Sequence, residues 1–162
     1  FKGTVEENLK MAKPDATKEE MEAVLEKVNL LGFLETQAGL ETQLLEKAGN
    51  LSGGQCQRLA IARALLRKEA SVYIFDEAAS NIDVESEALI MEVIHELAKT
   101  KTVLLISHRL ANVVQSDKIY FLREGEIQES GTHEALMAAK GPYSRLFDSQ
   151  MALERYGKGG AA

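Results

Sequence analysis

The sequence is short of several things, and each shortage excludes something. One cysteine, Cys56, stands among 162 residues. It excludes an internal disulfide and a cysteine-built metal cluster, and it suits a reducing cytosol. No apolar run approaches the ~18 residues that a membrane helix needs. No run is rich in Lys or Arg, and a net charge of −6 opposes binding to a nucleic-acid backbone, so no nucleic-acid partner is expected. The opening Phe1-Lys2-Gly3-Thr4 has neither an initiator Met nor a signal-peptide apolar region, so we expect a piece of a longer gene product. A further absence is more pointed. A phosphate-cradling loop of the form G-x-x-x-x-G-K-[ST] needs a Gly-Lys pair with a Gly five residues earlier. The single Gly-Lys is Gly157-Lys158, Ala152 stands where the first Gly should be, and Gly159 stands where Ser or Thr should be.

What is present reads as a folded α/β chain. An apolar fraction of 45% and a charged fraction of 27% are those of a soluble globular protein, and the length allows one domain with a real core. Thr4-Val5-Glu6-Glu7 and Thr17-Lys18-Glu19-Glu20 are capping boxes, each opening a helix. Pro14-Asp15 separates the two. Met21, Val24, Leu25 and Val28 predict an amphipathic helix over 18–30 that ends near Gly32. Residues 35–50 read as loop. Ser52-Gly53-Gly54-Gln55 is a third capping box, opening a helix through Leu66.

Val72–Phe75 and Val103–Ile106 are continuous apolar runs, the pattern of strands buried on both faces of a parallel sheet. Between them Val84–Lys99 is predicted helical, with Leu89, Val93 and Leu97 on one side. Ile119–Leu122 and Glu126–Glu129 flank Glu124-Gly125 as a hairpin, and two helices follow near 133–139 and 143–154. The tail Gly157–Ala162 is expected to be disordered.

Four places carry candidate chemistry. Two glycines at the helix start behind Ser52 let backbone N–H groups approach an anion, with the helix dipole and the hydroxyl adding to the attraction; a plain cap is the other reading. Asp76-Glu77 ends a predicted parallel strand, the rim where open α/β sheets bind ligands. In phosphoryl-transfer ATPases an Asp there holds Mg²⁺ and a following Glu polarises the attacking water, against the alternative of a solvated acidic loop. His108 follows the second buried strand, 31 residues beyond Glu77; His95 and His133 receive the structural reading. Ser80-Asn81-Ile82-Asp83 places Asp83 as N-cap of the next helix.

Leu51-Ser52-Gly53-Gly54-Gln55, continued by Gln57-Arg58-Leu59-Ala60-Ile61-Ala62-Arg63, resembles the signature motif of ATP-binding-cassette (ABC) ATPases. The resemblance covers Phe1 to about Met151 and implies a partial P-loop ATPase fold. In this fold a helical signature subdomain (1–68) leads into the C-terminal part of a parallel-sheet ATPase core (69–156), with 157–162 as tail. It implies that Ser52, Gly53, Gly54 and Gln55 close over the γ-phosphate of ATP held by a partner domain. It further implies that Asp76 is the Walker B metal ligand for Mg²⁺, Glu77 the catalytic carboxylate, His108 the switch histidine and Asp83 part of the D-loop. Gly3–Leu9 resembles the stretch after the Q-loop of exporters, and Gly131–Leu136 their C-terminal region. Several positions depart from the pattern. Asn81-Ile82 stand where the family has Ala-Leu, Cys56 replaces a basic residue, and in Leu45–Gly49 only Glu46 fits the exporter X-loop.

The implied function is part of the nucleotide-binding domain of an exporter at the cytoplasmic face of the membrane, with ATP and Mg²⁺ as cofactors. Its implied partners are a second nucleotide-binding domain and the transmembrane domains, and the isolated chain is expected to be inactive. Two competing readings are a soluble ABC ATPase without membrane domains, which would call for a coiled coil or a basic face, and a non-catalytic partner-binding fragment.

Overall fold

The computed structural model describes residues 1–45, 49–79 and 82–159. They form two compact units, Phe1–Ile106 and Ser107–Ala162. The first unit opens on β1 (Gly3–Thr4), α1 (Val5–Lys10), α2 (Lys18–Lys27) and α3 (Leu31–Glu35). Both expected capping boxes form. Thr4 Oγ1 accepts from the Glu7 N–H at 3.0 Å while Glu7 Oε2 accepts from the Thr4 N–H at 2.8 Å. The Thr17–Glu20 pair repeats this at 3.3 Å in each direction, and a cap of this kind contributes ~1 kcal/mol.

The second helix is shorter than its apolar spacing predicts. Asn29 takes φ 51° and the Leu30 N–H turns back to the Leu25 carbonyl at 2.9 Å, a left-handed closure that stops α2. Gly32 accordingly lies inside α3 rather than at a helix end. The stretch expected as loop holds a 3₁₀ turn, Gly39–Glu41, and β2 (Gln43–Leu44), which pairs antiparallel with β1.

The unit continues with α4 (Gly53–Leu65), β3 (Val72–Asp76), α5 (Val84–Ala98) and β4 (Thr102–Ile106). The strands pair in parallel, Val72 opposite Thr102 and Asp76 opposite Ile106. Tyr73 and Phe75 turn into the core, where Leu59, Ala62, Ile90, Met91 and Ile94 meet Met21, Val24 and Leu25 of the helical part. This shared core places β3, α5 and β4 in one compact unit with the helices.

Leu89, Val93 and Leu97 lie on one half-buried side of α5, beside its buried face of Ile90, Met91 and Ile94. One expectation is corrected. The strands are buried on one face only: Val72, Ile74, Leu104 and Ile106 are 56%, 65%, 48% and 45% exposed. The alternation follows from the two-residue period of a strand, with helices covering one side of the pair.

Glu20 ties α2 to the chain just beyond α4. Its carboxylate accepts from Lys13 and, at 3.2 Å, from Lys68. These bonds, with the Thr17 N–H, hold its pKa down at about 2. A depressed carboxylate stabilises the fold above its unfolded pKa of about 4.3 and loses that contribution as the pH falls toward the folded value. The melting-temperature gap between wild type and Glu20→Gln should therefore be present near neutral pH and close as the pH drops from about 4.3 to about 2. A gap that persists unchanged in acid would remove the tie.

The second unit holds a 3₁₀ turn, Leu110–Val113, then β5 (Ile119–Arg123), β6 (Glu126–Gly131), α6 (His133–Ala139) and α7 (Pro142–Gly159). The hairpin closes through Glu124 at φ 53° and Gly125 at φ 82°, the left-handed pair that a two-residue primed turn demands. Residues 157–159, expected as disordered tail, continue α7. His133 is structural, as expected: its Nδ1 lies 2.9 Å from the hydroxyl of buried Tyr143, and its ring centroid lies 4.8 Å from that of Phe147. No helix among the described residues is long and apolar enough to cross a membrane.

Candidate active site

The start of α4 is built by its own cap. Ser52 takes extended backbone, φ −67° and ψ 162°. Its Oγ accepts from the Gln55 N–H at 3.2 Å, and Gln55 Oε1 accepts from the Ser52 N–H at 2.8 Å. The first in-helix bond runs from the Cys56 N–H to the Ser52 carbonyl at 2.9 Å. The N–H groups of Gly53 and Gly54 precede the first position that can find an acceptor within the helix, so they are available to an anion on the axis. Ser52 and Gly53 are exposed, but Gly54 is buried. Its Cα lies against α5: a Cβ built there would stand 2.5 Å from Ser86 Oγ and 3.4 Å from Asp83 Oδ2.

Asp83 is the N-cap of α5, as expected, with its Oδ1 accepting from the Ser86 N–H at 2.8 Å. That bond, reinforced by the Ser86 hydroxyl and by the charge of Arg58, holds its carboxyl below the usual carboxylate range. Ser80 and Asn81 lie outside the described residues, as does Glu46.

Asp76 and Glu77 stand where the sequence puts them, at the C-terminal end of parallel β3. Asp76 is the last ladder residue and its side chain is exposed. The Glu77 N–H extends the ladder by one bond to the Ile106 carbonyl at 3.0 Å. At that point the chain turns sharply, because Glu77 has φ 52°. A non-glycine residue in the left-handed region costs on the order of 1 kcal/mol, and such outliers cluster at functional positions. The first unit thus brings Gly54, Asp83 and Ser86 together at the joined ends of α4 and α5, and sets Asp76 and Glu77 side by side at one strand end.

His108 lies in the second unit with its side chain exposed. The segment is held by a residue that sequence reading missed. Gln150 of α7 donates from Nε2 to the His108 carbonyl at 2.7 Å, while its Oε1 accepts from the Leu110 N–H at 2.9 Å. The Arg109 N–H donates to Ser107 Oγ at 3.0 Å within the same turn. One amide side chain, some forty residues away in sequence, therefore fixes the backbone on both sides of Arg109. No local pattern marks such a residue. Among the described residues no group of three or more His, Cys, Asp or Glu side chains could enclose a metal.

The family model described as ABC transporter matches residues 2–80, from β1 across α4 and β3 to Glu77 and the residues after it. The chain belongs to the ABC transporter ATP-binding family. It is 54% identical over 155 residues to an uncharacterized ABC transporter ATP-binding protein of Haemophilus influenzae, covering 96% of this chain and 28% of that protein. It is 40% identical over 151 residues to ABC transporter B family member 3 of Dictyostelium discoideum, covering 93% of this chain and 10% of that protein. The solved structure of a bacterial Atm1-family ABC exporter with ATP bound is similar over 93% of this chain and 26% of its own, at 31% identity and a TM-score of 0.84. The chain thus spans little more than a quarter of the H. influenzae relative and a tenth of the Dictyostelium one. Its architecture is a partial ABC ATPase fold of the exporter type.

Proposed function

We propose that this segment supplies the hydrolytic carboxylate and the γ-phosphate-closing helix of an ABC exporter's ATP-binding domain, coupling ATP hydrolysis to transport. The observation that carries the reading is Glu77, held in left-handed backbone one residue beyond the last ladder residue of parallel β3. In that position its carboxylate takes the proton of the water that attacks the γ-phosphorus as the bond to the β-phosphate oxygen breaks. Asp76, exposed beside it, would hold Mg²⁺, which supplies charge neutralisation for the phosphates; an ion of this kind commonly takes one or two carboxylates and completes its shell with water and phosphate oxygens. The N–H groups of Gly53 and Gly54, with Ser52 and Gln55, face ATP carried by a second nucleotide-binding domain, and Asp83 belongs to the loop between the domains. His108 senses the γ-phosphate. Residues 1–68 form the signature subdomain and 69–156 part of the ATPase core, at the cytoplasmic face of the membrane and in contact with the transmembrane domains. The bare face of Val72, Ile74, Leu104 and Ile106 is covered by other parts of the longer protein. Without a phosphate-cradling loop, the isolated chain hydrolyses no ATP.

His108→Ala in a full-length exporter carrying this segment should slow hydrolysis about tenfold or more, the loss of ~1.4 kcal/mol of transition-state stabilisation, with little change in melting temperature. Gln150→Leu should act in the same direction by releasing the backbone at residues 108 and 110. Steady-state phosphate release, scaled to the folded fraction, is the measurement. A large fall in melting temperature with unchanged turnover per folded molecule would make His108 a structural residue and weaken the ATPase assignment.

A further inference from the structure

The glycine at position 54 has a role beyond letting an anion approach. It is buried, and a Cβ there would meet Ser86 Oγ at 2.5 Å and Ser86 Cβ at 2.8 Å. The hydroxyl could rotate away, but the Ser86 Cβ is fixed by the backbone of α5. Ser86 in turn binds Asp83 through its main-chain N–H at 2.8 Å. Arg58 donates to the Gly54 carbonyl, at 3.4 Å, and to the carbonyl of Asn29 just beyond α2, at 2.9 Å. The first turn of α4 is therefore gripped between α5 and the helical part of the unit. Five residues of chain, 78–82, separate Glu77 from Asp83. Ser86 thus packs on Gly54 and binds Asp83 at one place.

We propose that Ser86 is a positioning residue for hydrolysis, seating Gly54 and Asp83 so that the start of α4 and the start of α5 shift as one body. This rests on the reading of the start of α4 as facing ATP on a second domain.

The test is a rescue experiment in a full-length exporter carrying this segment, reading kcat and the ATP KM per folded molecule. Gly54→Ala should lower kcat about tenfold or more with KM within about threefold, because the added methyl displaces the turn without touching the domain's own nucleotide. Ser86→Gly removes both clashing atoms, so Gly54→Ala with Ser86→Gly should return to within about threefold of Ser86→Gly alone. Gly54→Ala with Ser86→Ala keeps the Cβ in place and should stay low. A general loss of structure would depress the folded fraction and melting temperature without this pattern in kcat. If Ser86→Gly fails to restore Gly54→Ala, or if Gly54→Ala is unimpaired, the positioning role is wrong while the phosphate-facing reading stands. If Gly54→Asp hydrolyses ATP at the wild-type rate, the phosphate-facing reading itself fails, whatever the rescue shows.

Discussion

Glu77→Gln in a full-length exporter carrying this segment should lower ATP turnover by roughly 10²–10⁴ while ATP binding stays intact, the range that general-base assistance typically supplies. The substitution keeps the volume and branching of the side chain and replaces one oxygen with an amide nitrogen, so the turn after β3 has no reason to change. The bond from the residue-77 N–H to the Ile106 carbonyl belongs to the main chain and survives as well. What disappears is the capacity to accept a proton at neutral pH, since an amide is not a base in that range. Phosphate release should collapse, whereas equilibrium nucleotide affinity and melting temperature should stay close to wild type. Turnover within about threefold of wild type would remove Glu77 from the chemistry. A lost melting transition would instead show that the strain at φ 52° depends on the carboxylate.

The parts of this molecule that were legible in sequence are those decided within a few residues. Three Ser/Thr–Glu/Gln pairs spaced three apart became three reciprocal caps, and Glu124-Gly125 became a two-residue turn with both φ values positive. Asp76-Glu77 could be placed at a strand end because the apolar run before it is unbroken. That same run misled about burial. Val72, Ile74, Leu104 and Ile106 are apolar, yet one side of the strand pair is bare. Composition suits a strand to all the surroundings its sequence evolved in, while a segment buries only what its own helices reach. Residues acting across long sequence distances were not legible at all. Gln150 holds the His108 turn from α7, and Ser86 requires the glycine at position 54 from the next helix but one strand. The Gly-Gly pair read as an anion seat or a plain cap, because the further demand on Gly54 comes from a neighbour 32 residues away. Nor does any local pattern announce that Tyr73 and Phe75 share one core with Met21 and Leu25.

Gly54→Asp should abolish both ATP-dependent association of two domains and hydrolysis, while ATP binding to each domain's own site survives. The first turn of α4 presents N–H groups to a phosphate in the proposed closed state, and a carboxylate there reverses the sign of the local field. One unit charge about 4 Å from another is worth ~4 kcal/mol at an effective dielectric of about 20, and a penalty of that size lowers a closed-state population by about a thousandfold. The steric effect has to be separated from the electrostatic one, because any Cβ at this position meets Ser86. The comparison therefore belongs in a Ser86→Gly background, where Gly54→Ala and Gly54→Asp have equal room at Cβ and differ in charge. There the alanine variant should associate and turn over ATP to within about threefold of Ser86→Gly alone, and the aspartate variant should do neither. Association is read by ATP-dependent light scattering of detergent-solubilised protein or by inter-domain cross-linking, and own-site binding by equilibrium nucleotide titration. If nucleotide affinity at the domain's own site fell together with association, the first turn of α4 would serve its own nucleotide, and the reading across two domains would be lost.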